Sequence, residues 1–409
     1  MWPVVVVLCG LVLVLSSSPT STQAGGGVPI VAPVGKDPST SLYTVTIKAG
    51  GHDLVVDLSG PLHWSRCPPA HRNFPCLSSA CQAVNRDIPP GTCTFTSKFI
   101  NYTDPNCICP TYPYNPITGE CGITDATTFT LSATALNGAQ QEPVTFMALG
   151  ACSTELLYET LPADSWGVAG MSRLTQSLPT QVTSTFKLPR EFALCLPWSG
   201  GGSGAVIFGG GPSQLLSGVA AQALSENQVP YLKSSTNGAY YLHVTGINVN
   251  NAPVTLPREG ALDLNAGSGE GGVILSTVVS YTTLRSDIYR ALLAAFDAAT
   301  SGVPRAPAVA PFELCFQASS ASASALPFPG VDLLLDNGRT WSVASVVQVD
   351  DRTACFAFLE MTMISRVGWE PAALLGGFQF EDRLLLFDLE KETFAFSGPL
   401  AGGCAITSP

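Results

Sequence analysis

Leu54-Val55-Val56-Asp57-Leu58-Ser59-Gly60 and, more than two hundred residues later, Gly271-Gly272-Val273-Ile274-Leu275-Ser276-Thr277-Val278-Val279 are the two stretches that decide the fold. In each, an apolar run of strand-forming residues leads into a short polar loop. About a hundred residues after the first comes Gly167-Val168-Ala169-Gly170, and about a hundred after the second comes Leu374-Leu375-Gly376-Gly377. Two related lobes would produce this echo. An apolar run followed by glycine also occurs in many β proteins, so the echo alone leaves both explanations open.

Around these stretches the chain reads as strands: Leu42 to Ile47, Thr127 to Leu131, Ala205 to Phe208, Tyr240 to Val244, Val331 to Leu335 and Leu384 to Phe387. Charged residues make up only 12% of the chain, and 39 Gly and 32 Pro punctuate it. Many short strands and turns follow from that composition. One segment departs from it: Ile288, Leu292, Leu293 and Phe296 share a face at helical spacing, with Ser286 as N-cap, Asp287 as a first-turn acid and Gly302 past the end. The 409 residues exceed one ordinary core. The Gly-, Ser- and Gln-containing stretch from Gly209 to Pro230 marks the lobe boundary, giving lobes at 25–215 and 216–409.

The N-terminus carries an apolar run from Trp2 to Leu15 and a small-residue site ending at Ala24, the grammar of a signal peptide over residues 1–24. The run is shorter than the roughly 20 residues of a membrane span. Of 13 cysteines one, Cys9, lies in that leader, leaving 13 − 1 = 12 in the mature chain. An even number in a secreted chain implies disulfides among Cys67, Cys76, Cys81, Cys93, Cys107, Cys109, Cys121, Cys152, Cys195, Cys315, Cys355 and Cys404. Their spacing matches neither zinc hooks nor a redox motif, so no metal is expected. Asn101-Tyr102-Thr103 is a glycosylation acceptor. The net charge of −11 argues against nucleic acid or an anionic membrane as partner.

Taken with Ser41-Leu42-Tyr43, Tyr114-Asn115-Pro116-Ile117-Thr118-Gly119, Phe192-Ala193-Leu194-Cys195-Leu196-Pro197, Phe358-Leu359-Glu360-Met361 and Phe387-Asp388-Leu389-Glu390-Lys391, the chain resembles pepsin-like aspartic proteases, and within them the plant xylanase inhibitors of the wheat type. The resemblance implies an all-β, bilobal pepsin-like fold with a few short helices. It also implies disulfides Cys195–Cys404 and Cys315–Cys355, and a flap carrying Tyr114.

Pepsin-like catalysis needs two facing aspartates sharing a proton, each in Asp-Thr/Ser-Gly. Here Asp57 is kept, but Leu58 replaces the bracing hydroxyl and Ser59 the glycine, while Ser276 stands at the second aspartate's position. Asp57, Ser276 and Tyr114 are therefore vestigial positions, with no catalytic residue and no cofactor. Asp263 and Asp287 read as structural acids. Four histidines, His52, His63, His71 and His243, come without a Gly-x-Ser-x-Gly elbow, which disfavours a serine hydrolase.

The implied function is inhibition of microbial glycoside hydrolase family 11 endo-xylanases by a secreted, monomeric protein of the plant apoplast or cell wall, with second-lobe loops entering the target's groove. The family's histidine shortly before the last cysteine is missing from Ser397-Gly398-Pro399-Leu400-Ala401-Gly402-Gly403-Cys404. Arg305, Arg366 and Trp369 are the candidate contact residues in its place. Alternatives are inhibition of another wall hydrolase such as a xyloglucan endoglucanase, residual aspartic endopeptidase activity, and a storage or wall-binding role like that of 7S globulins.

Overall fold

The computed structural model describes residues 27–47, 52–86, 104–137, 140–198, 202–210, 222, 224–318, 328–361, 370–400 and 403–404. The leader, Cys93, Asn101, Arg366, Trp369 and part of the Gly209–Pro230 stretch lie outside these residues.

Strand Asp53–Asp57 runs between Tyr43–Val45, antiparallel, and Ser165–Gly170, parallel. Covered on both sides, Leu54, Val55 and Val56 are fully buried, which is why this strand is a continuous apolar run rather than an alternating one. The second half repeats the arrangement. Val273–Leu275 lies between Tyr241–Leu242, antiparallel, and Ala373–Leu375, parallel. The duplication suggested by the sequence echo is thus a matched pair of strand triplets.

The two halves are joined through one antiparallel ribbon of strands. Its order is Ile30–Lys36, Gly204–Phe208, Glu191–Cys195, Leu384–Asp388, Thr393–Phe396 and Gln228–Leu232. First-half and second-half strands meet where Phe192 pairs with Phe387, and their rings stack at 4.6 Å. The disulfide Cys195–Cys404 closes the same junction across a sequence separation of 209. Among the described residues, Cys67–Cys152, Cys76–Cys107, Cys81–Cys109 and Cys315–Cys355 are also bonded. The pairs Cys195–Cys404 and Cys315–Cys355 are those the family resemblance implies.

Two further four-stranded sheets belong to the second half. One of them, Arg305–Ala306, Cys315–Gln317, Thr353–Phe356 and Val346–Asp350, carries an exposed loop between its first two strands. The expected strand Tyr240 to Val244 is two strands, Tyr241–Leu242 and Val244–Val249, because the chain passes from one sheet to another at His243.

The helix expected from Ile288, Leu292 and Phe296 spans Ser286–Ala299 and buries those three side chains with Tyr289. Its N-cap is Arg285, not Ser286. The Arg285 guanidinium donates to Asp287 and to the Ala261 carbonyl, while the Ser286 hydroxyl donates to Glu360 Oε1 at 2.5 Å. Serine is thereby engaged by a neighbouring strand, and Asp287 Oδ1 accepts from the Ile288 N–H at 2.9 Å as the first-turn acid. A second helix, Leu178–Phe186, was not anticipated. No described helix is long and apolar enough to cross a membrane.

Candidate functional site

Asp57 ends its strand opposite Gly170. In the second half Leu275 ends its strand opposite Leu375, and the next N–H, that of Ser276, donates to the Leu375 carbonyl at 2.9 Å. Counting along the registers therefore sets Asp57 beside Gly170 and Ser276 beside Gly376. The two polar loops meet directly: the Thr277 hydroxyl donates to the Val56 carbonyl at 2.5 Å and accepts from the Leu58 N–H at 3.3 Å. Leu58, a fully buried hydrocarbon side chain, cannot return that contact. The crossing bond is one-sided.

The Asp57 carboxylate is 2% exposed. Its Oδ1 accepts from the Ser59 N–H at 2.8 Å and its Oδ2 lies 3.5 Å from the Tyr114 hydroxyl, which donates to it. Burial raises its pKa to about 6, against the opposing effect of hydrogen bonds from Ser59, Gly60 and Tyr114. In a working dyad a second carboxylate is a principal perturbing charge. No described acid perturbs Asp57. The Tyr114 hydroxyl is pushed well above its ordinary range, first by burial and then by the Asp57 charge.

Tyr114 reaches Asp57 because the hairpin that carries it is folded down. Pro110–Thr111 pairs with Asp125 and Thr124, and Tyr114 bridges to Cys121. At the tip, the Asn115 side-chain oxygen accepts from the Ile117 and Thr118 N–H groups while its amide donates to the Leu157 carbonyl and the Thr160 hydroxyl. Such a turn is the local structure an Asn favours. The Trp64 indole N–H donates to the Tyr114 carbonyl at 3.1 Å, pinning the hairpin from below. A cavity of about 30 Å3 remains between Asp57, Leu62, Trp64, Tyr112, Tyr114 and Gln176, room for no more than about two water molecules.

Other positions singled out from sequence are placed as follows. Asp287 pairs with Arg285, and the backbone carbonyl of Asp263 accepts from the Gly272 N–H at 3.0 Å. His71, Cys67 and Cys152 lie close enough to suggest a metal cluster. The two sulfurs are bonded to each other at 2.03 Å, so the cluster offers no thiolate.

Arg305, one of the three candidate contact residues, is anchored at the base of its loop. Its guanidinium donates to Asp297 Oδ1 at 2.6 Å and to the Thr300 carbonyl at 2.9 Å, and lies over the Phe316 ring at 4.7 Å. It serves the C-terminal end of helix Ser286–Ala299, where unpaired carbonyls attract positive charge.

The sequence reading missed the crossing bond of Thr277 and the closure of Tyr114 on Asp57. The hydroxyl directly after Ser276 was the available signal for the first, since it stands where the pepsin-like motif keeps its bracing hydroxyl.

Strand triplets of matched register, each ending at a polar loop, with a hairpin folded over one carboxylate, define a pepsin-like architecture. The sequence patterns of the xylanase inhibitor N-terminal and C-terminal domains match residues 43–210 and 239–398. The chain is 38% identical over 391 residues to Chitinase CLP of Oryza sativa subsp. japonica, covering 92% of this chain and 89% of that one. It is 32% identical to Gamma conglutin 1 of Prunus dulcis, over 96% of this chain and 92% of that one. The crystal structure of edgp superposes with a TM-score of 0.79 at 27% identity, covering 94% of this chain and 98% of that one. This chain belongs to the xylanase inhibitor family of pepsin-like proteins.

Proposed function

We propose that this chain is a secreted, monomeric protein inhibitor of microbial glycoside hydrolase family 11 endo-xylanases, and that it does not hydrolyse peptides. The observation that supports the loss of catalysis is the state of Asp57: buried, held by Ser59, Gly60 and Tyr114, and perturbed by no described acid. A serine hydroxyl cannot share the dyad's proton or carry its negative charge at working pH, so water between the two positions lacks its acid and base. Glycoside hydrolysis by the chain itself would likewise need a second carboxylate about 5–9.5 Å from the first.

The surface offered to a target is the loop of residues 306–311 in the second half. Its sequence, Ala306-Pro307-Ala308-Val309-Ala310-Pro311, is uncharged. All but Ala306 are exposed, while the following Phe312 is buried against Tyr281. Its two prolines restrict the loop, so it loses little freedom on docking into a groove. Arg305, Arg366 and Trp369 complete the candidate contact set.

In the same reading residues 1–24 are removed on export, the lobes divide between 215 and 216, Asn101 carries a glycan, and the protein resides in the apoplast or cell wall. The twelve mature cysteines and the disulfides they form suit such an oxidising compartment.

The test is a titration of purified protein against family 10, 11 and 12 glycosidases at mildly acidic pH. The name of the rice relative is reason to include chitin hydrolysis, by the protein itself and by added chitinases. Stoichiometric inhibition of a family 11 xylanase without turnover is the expected result. Inhibition confined to a family 12 enzyme would redirect the reading to another wall hydrolase, and inhibition of none would leave the globulin-like role.

A further inference from the structure

We infer that Arg290 is the positioning residue of the inhibitory surface, fixing the loop 306–311 by bridging Glu313 and Glu360. The inference rests on the inhibitor reading above and adds to it the residue that orients the loop.

Helix Ser286–Ala299 holds both ends of the loop. At the entry, Arg305 is tied to Asp297 and Thr300 at the helix C-terminus. At the exit, the Arg290 Nη1 donates to Glu313 Oε2 at 2.9 Å. The same guanidinium reaches Glu360 Oε2 through Nη2, and Glu360 Oε1 accepts from the Ser286 hydroxyl. The guanidinium plane also lies over the Tyr289 ring, 5.3 Å from its centroid. One planar fork thus spans two carboxylates from the loop's exit and from strand Phe358–Glu360, a geometry arginine provides and lysine does not.

Arg290 and Glu313 are about half exposed, at 53% and 43% of their side chains. Exposed pairs contribute little to folding stability, so this network's effect falls on where the loop stands. With Phe312 inserted against Tyr281 at 4.8 Å and two prolines within it, the loop loses little freedom on docking. Releasing its exit restores that freedom to the unbound state and weakens the complex.

The experiment measures inhibition constants against a family 11 endo-xylanase, together with urea midpoints, for the wild type, Arg290→Ala, Glu313→Gln, the combination of these two, and Arg290→Lys. Arg290→Ala is expected to weaken inhibition roughly three- to fivefold, no more than an exposed ion-pair network contributes, with the midpoint unmoved. The double variant should be no weaker than Arg290→Ala, because both changes break one network. Arg290→Lys should recover only part of the loss. An Arg290→Ala inhibition constant within twofold of the wild type overturns the inference while leaving the inhibitor reading intact. A midpoint that falls in step with inhibition also overturns it, by making the residue merely structural. A wild type that inhibits no glycosidase overturns both.

Discussion

Replacing Asp57 by Asn is expected to make the protein more stable at pH 7, by about 3 kcal/mol, and to leave it nearly unchanged at pH 4. Burial raises the folded carboxyl to about 6, whereas an unfolded Asp titrates near roughly 3.9. Between those values the folded state holds the proton and the unfolded state does not. The protonated group therefore supports the fold fully below about pH 4, and that contribution disappears as pH rises through about 6. Two units of difference correspond to about 3 kcal/mol at neutral pH. Asparagine keeps an oxygen for the Ser59 N–H and carries no charge into the interior. Urea unfolding of both proteins at pH 4 and pH 7 reads the effect. Curves separated equally at the two values would contradict it.

Removing the disulfide Cys195–Cys404 with paired serine substitutions is expected to cost more than removing any shorter one. It closes a sequence separation of 209, against 31 for Cys76–Cys107. Loop-closure entropy assigns about 5 kcal/mol to the longer loop and about 4 kcal/mol to the shorter. The fold itself should persist, because Glu191–Cys195 remains paired with Leu384–Asp388 along five residues. Side-by-side denaturation of the two double variants tests the order. A larger loss from the Cys76–Cys107 variant would show that the junction is held by strand pairing alone.

What was legible in the sequence follows from how far each interaction reaches. Leu54, Val55 and Val56 announce a strand covered on both faces because burial selects apolar residues at every position. Ile288, Leu292 and Phe296 announce a helix because only one of its faces is buried. Helix Leu178–Phe186 gave no comparable signal, since its interior is rich in Thr and Ser and Pro179 sits in its first turn.

The candidate site divides in the same way. Ser276, standing where the resemblance leads one to expect a second aspartate, is a matter of residue identity and can be read directly. The bond from Thr277 to Val56 spans 221 residues, and the partners of Arg305 include backbone carbonyls at the end of a helix. A side chain's commitment to distant backbone leaves no local pattern, which is why the anchoring of Arg305 cannot be read from its neighbours in the chain. Arg290 escaped notice for the same reason, its two acids lying 23 and 70 residues away.

The most direct test of the account is an acid-pH peptidase assay on purified protein, run across pH 3 to 6 with an unstructured polypeptide, with and without pepstatin. A buried Asp57 without a second carboxylate to share its proton predicts no hydrolysis above that of buffer at any pH. Cleavage that pepstatin blocks and that vanishes in Asp57→Ala would contradict it.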